Sequence, residues 1–101
     1  MNTFQKIEKS KELFERLKKI LEDHRGKNHI MGIRSIIAVL SDDEVIPDER
    51  IDHARSNFKY MMGGMGTLGD YAISDENKTV QLSLNHDLDQ LLTELWDLLE
   101  C

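Results

Sequence analysis

Apolar side chains recur every three or four residues along much of this chain, and that spacing constrains the fold more than any other feature. Phe4, Ile7, Phe14, Leu17 and Leu21 follow the period of an α-helix, and Leu13 and Ile20 widen the stripe. The same spacing returns in Leu88, Leu91, Leu92, Leu95, Leu98 and Leu99. Two such stripes need each other, or further helices, to leave water. The first predicts a helix over 4–24, with Thr3 as N-cap and Gly26 as its C-terminal stop. The second predicts a helix over 86–100, capped by Asn85, with Asp87 and Asp89 in a first turn where the helix dipole favours negative charge.

Between them, HIMGIRSIIAVLS (residues 29–41) is almost wholly apolar apart from Arg34. Its Ile and Val content favours strand, but its length favours a buried central helix, with Asn28 as a cap. SDDEVIPDE then reads as a loop. Pro47 suits the first position of a helix over 48–62. Ile51, Ala54, Phe58, Met61 and Met62 form its inner stripe, and Arg50, Arg55 and Lys59 its outer face. Residues 63–84 are irregular. GGMGTLGD holds four of the six glycines, and Gly63, Gly64 and Gly66 are expected to end the third helix at positive φ. YAIS and TVQLSL flank DENK as a short β-hairpin would, the alternative being an extended loop packed on the helices. The expected fold is mostly α: a single domain over 1–101, with four helices around the 30–40 segment, a glycine-rich turn and a possible hairpin.

Charge is unevenly distributed. Residues 70–101 contain eight Asp and Glu against one base, Lys78, while residues 1–69 are close to neutral and the whole chain carries −6. Asp70, Asp75, Glu76, Asp87, Glu94, Asp97 and Glu100 are therefore the candidate partner-binding residues. A one-signed surface draws oppositely charged partners and repels phosphate backbones, which favours a basic protein over nucleic acid. Solvation alone is the competing reading for such a face.

Other chemistry finds little footing. His24, His29, His53 and His86 lack ligand spacing, and a single cysteine, Cys101, forms neither a zinc cluster nor an internal disulfide. At the chain end Cys101 is expected to be frayed and unshielded. GGMGTLGD matches neither phosphate-binding glycine pattern and no lysine follows it. No catalytic residue, metal or other cofactor is implied. No segment has 18 consecutive apolar residues, and the first residues lack the apolar core of a signal peptide, so a cytoplasmic protein is expected.

NFKYMMGGMGTLGDYAI, followed after a polar gap by NHDLDQLLTELWDLL, resembles a family of small bacterial proteins without an assigned activity. Their mark is a GGMGS-hydrophobic-x-D segment and then an Asn-led helix with Leu-x-x-Leu spacing. The resemblance spans the last 43 residues or so and departs at Thr67, where Ser is usual, and at Gly69 before Asp70. Members look like small acidic proteins encoded beside polymorphic toxins, including immunity proteins of contact-dependent growth inhibition systems. The resemblance implies a protein that neutralises a toxin, with the glycine segment belonging to the scaffold. A regulatory or adaptor protein with a different partner is the alternative, and an enzyme is not expected.

Overall fold

In the computed structural model, residues 1–63 and 68–101 are described, Asp70 by its backbone alone. Among these residues four α-helices form: α1 (Thr3–Asp23), α2 (Lys27–Leu40), α3 (Pro47–Met62) and α4 (Lys78–Leu98), with a 3₁₀ turn, Leu68–Asp70, before the last. The mostly-α expectation holds, and no strand occurs among the described residues. Gly64 and Gly66, two of the three expected turn glycines, lie outside them.

The hub of the bundle is α1, not the 30–40 segment. It packs against α2, α3 and α4 in turn. Its buried face is Ile7, Leu13, Phe14, Leu17 and Leu21, and Phe14 meets Phe58 of α3 edge-on at 5.6 Å. Phe4 falls off that stripe and is 64% exposed. By contrast α2 is amphipathic. It buries Ile33, Ile36 and Leu40, packs against both α1 and α3, and leaves Met31 exposed. It approaches α3 closely at Gly32, where a Cβ would stand 2.8 Å from Met61 Sδ.

Helix ends differ from expectation in instructive ways. Asn2, not Thr3, caps α1: its side chain accepts the Gln5 N–H, and Gln5 accepts the Asn2 N–H in return, a reciprocal capping box. The Thr3 hydroxyl instead donates to Asp48 Oδ1 at 3.3 Å. At the other end Arg25, with φ 65°, takes the left-handed position, and the Gly26 N–H reaches back to Leu21 O at 2.7 Å. Gly26 is needed for space, since a Cβ there would collide with the Leu21 side chain. It also serves as N-cap residue of α2, in place of Asn28. α4 ends the same way: Glu100 has φ 59° and the Cys101 N–H donates to Trp96 O at 3.0 Å.

Arginines expected outside point inward. Arg50 is buried and its Nε donates to Val45 O at 2.7 Å, tying down the loop before α3. Arg55 Nε donates to Leu99 O at 2.6 Å and so holds the end of α4 against α3.

The hairpin does not form. TVQLSL is the start of α4, and Asn77 is its cap, accepting N–H groups from Thr79 and Val80 at 3.0 and 3.2 Å. A lone two-stranded ribbon is marginal in water, whereas extending a capped helix adds one hydrogen bond per residue. Asn85 thereby lands inside the helix and becomes a latch. Its Oδ1 accepts the Ile73 N–H at 2.8 Å and its Nδ2 donates to Ile73 O at 2.9 Å. One side chain thus satisfies both backbone groups of a residue 2% exposed. Gln81 adds a second tie, accepting the Asp75 N–H at 3.1 Å. Tyr71 closes the far end by donating to His24 O at 2.6 Å.

Gly63 ends α3 in extended backbone, φ −94° and ψ 131°, rather than at positive φ. The glycine that the fold needs here is Gly69, where a Cβ would run into the backbone carbonyl of Met62.

Candidate functional site: the outer face of α4

Successive residues of a helix are about 100° apart. Burial of Leu88, Leu91, Leu92 and Leu95 therefore turns His86, Gln90, Thr93 and Asp97 to solvent. Asp89 and Trp96 flank that stripe on the edge beside α3, where Trp96 packs on Phe58 with centroids 6.3 Å apart. Asp87 and Glu94 flank it on the edge beside α1. From Thr79 to Cys101 the chain has no Lys or Arg, so His86 is the one basic side chain that this outer face supplies itself.

Neighbouring helices balance part of the charge that the linear sequence leaves unbalanced. Lys9 of α1 lies 3.9 Å from Glu94, and Lys6 lies 3.5 Å from Glu100. Both are surface pairs, of a kind worth at most about 1 kcal/mol. Asp87, Asp89 and Asp97 have no ion pair among the described residues and are exposed. Asp87 and Asp89 lie in the middle of α4, not in its first turn, so the helix dipole does not explain them.

The seven candidate acids do not form one patch. Glu76 and Asp97 are 21 residues apart with α4 between them, about 30 Å at 1.5 Å per residue. Asp75 and Glu76 belong to a separate groove of about 750 Å³ between the end of α1 and residues 71–81, which also contains Asp23, Arg25 and Lys78 and so is mixed in sign. Asp75 has a local task there: its Oδ1 accepts the Asn77 N–H at 2.9 Å. Of Asp70 only the backbone is described, in the 3₁₀ turn.

Two depressions mark the α4 face itself. One, of about 430 Å³, lies between Met62, Gly69, Asp89, Leu92, Thr93 and Trp96. The other, of about 550 Å³, is shallow and runs over His86, Asp89, Gln90, Thr93, Glu94 and Asp97. They share Asp89 and Thr93 and form one continuous surface, with Leu92 and Trp96 beside Asp89 at the α3 edge and Glu94 and Asp97 among polar side chains elsewhere. Trp96 is absent from the sequence-based candidates, although a single tryptophan one position before an aspartate, in a leucine-rich helix, could have signalled a mixed surface.

Other titratable groups serve the scaffold. His29 stacks edge-on with Tyr71 at 5.6 Å, and burial lowers the His29 pKa and raises that of Tyr71. Cys101 is half-buried rather than frayed. Burial pushes its thiol up, with Lys59 and Arg55 opposing the shift, which keeps it protonated and a weak nucleophile. Among the described residues no three His, Cys, Asp or Glu side chains gather as metal ligands, and no helix is long and apolar enough to cross a membrane. Comparison with protein-family models, with curated proteins and with solved structures finds no match.

Proposed function

We propose that this chain is a bacterial immunity protein that binds a basic toxin domain, a nuclease, through the outer face of α4 and blocks it by occlusion. The observation that carries the reading is the face from His86 to Asp97. Three of its carboxylates, those of Asp87, Asp89 and Asp97, lack an ion-pair partner among the described residues. A nuclease holds nucleic acid with Lys and Arg, and an acidic surface competes for the same groups while accelerating encounter. The partly exposed Trp96 beside the acids adds the aromatic anchor on which protein interfaces concentrate their binding energy. The expected resemblance of residues 57–99 to a family of small bacterial proteins, whose members look like proteins encoded beside toxins, points the same way. Such a protein acts in the cytoplasm, by stoichiometric binding without turnover.

The reading predicts a toxin gene beside this one, and the test is a titration of the toxin domain that such a gene encodes. Its activity should vanish at about one equivalent of this protein. Inhibition far below one equivalent would mean that the chain modifies its target catalytically, and no inhibition at excess would refute the pairing.

A further inference from the structure

We propose that the 430 Å³ groove at the α3 edge of α4 is a seat for an arginine side chain of the partner, an inference that rests on the acidic-face reading above. The floor is apolar, made by Met62, Leu92 and Trp96, and Asp89 stands at one end with Thr93 beside it. Asp89 and Trp96 are seven residues apart on one helix edge, about 10 Å along the axis. That length exceeds one arginine side chain, so a guanidinium at Asp89 leaves Trp96 to the stem and to the backbone that carries it. The arginine's three methylenes cover Leu92 and Met62, as long cationic stems do on apolar surfaces, while the planar guanidinium meets the Asp89 carboxylate. Trp96 is 37% exposed with Phe58 against it, so part of its ring remains open to the stem. Charge complementarity selects the occupant, since Asp89 has no ion pair among the described residues and attracts a cation where it does not attract a neutral side chain.

Trp96 is the only tryptophan, so its fluorescence reports on this groove alone. The probe is an acetylated, amidated tetra-arginine peptide at low ionic strength, with tetra-citrulline as the uncharged isostere. Tetra-arginine should shift Trp96 emission saturably, and tetra-citrulline should not. Asp89→Asn should weaken the titration about fivefold or more, while Glu22→Gln, the same charge change on the exposed surface of α1, should change it less than twofold. Equal effects of Asp89→Asn and Glu22→Gln, or a response to tetra-citrulline, would overturn the proposal. Calorimetry of the same titration separates the two readings. Heat of binding without an Asp89-dependent emission change rejects the arginine seat and leaves the acidic face standing. No saturable binding of tetra-arginine at millimolar concentration, by emission or by calorimetry at two temperatures, rejects both.

Discussion

Asn85→Asp distinguishes the role this residue has in the fold from the role its surroundings in the sequence advertise. As an N-cap, Asn and Asp are nearly equivalent, and the substitution would leave stability unchanged. In the structure Asn85 lies within α4 and makes a donor–acceptor pair with Ile73. Asp keeps the acceptor for the Ile73 N–H but loses the donor to Ile73 O. A buried carbonyl left without a donor costs about 1–3 kcal/mol. A domain of this size loses about 4–8 °C of melting temperature per kcal/mol, so Tm should fall by roughly 5–20 °C. Asn85→Leu removes both bonds and should cost more. Gln81→Ala, which removes the single tie to Asp75 N, should cost about 1 kcal/mol or less. Calorimetric melting of the three variants measures this ordering. Amide exchange adds a local readout, because the Ile73 N–H should be protected in the parent and exchange rapidly in Asn85→Leu. An Asn85→Asp protein that melts with its parent would refute the latch.

Three further outcomes follow from the described geometry. Ser10 is fully buried and its Oγ lacks a hydrogen-bond partner, so Ser10→Ala should leave Tm unchanged or raise it, the opposite of the usual core truncation. Arg25 occupies the left-handed region, where a residue with a Cβ pays about 1–2 kcal/mol; Arg25→Gly should therefore raise stability in urea unfolding by up to about 1 kcal/mol. Burial lowers the pKa of His29 from its ordinary 6.5, so below that value the unfolded chain binds more protons than the folded one. Stability should decline as pH falls from 6.5 toward the lowered folded value, and His29→Gln should flatten that part of a Tm-against-pH curve.

Helices were legible where one face is buried over several turns. Phe14, Leu17 and Leu21, and Leu88 to Leu95, declare their faces by spacing alone. What the spacing left open was decided by single polar side chains. Asn77 starts α4 eight residues before the next asparagine, and that choice turns TVQLSL from candidate strand to helix, with Leu82 left exposed. Arg50 and Arg55 read as outer-face charges because a helical wheel does not show which backbone carbonyls lie within reach. Among the described residues positive φ falls at Arg25 and Glu100 and not at Gly63, while Gly26 and Gly69 are required by close contact. The acidic candidates were legible as a composition but not as a surface. Lys6 and Lys9 are far from Glu100 and Glu94 in sequence and beside them in space, and Asp75 and Glu76 lie a helix length away from Asp97.

The decisive measurement is the rate of association with the proposed toxin partner, followed by stopped-flow across a range of salt. Reversal of Asp87, Asp89 and Asp97 to Lys changes the sign of the face without touching a buried residue. If α4 steers a basic partner, the parent's association rate should fall steeply as salt rises, and the triple variant should associate about tenfold or more slowly at low salt. An association rate that is the same for parent and variant, and flat across salt, would contradict the claim that this face is where the partner binds.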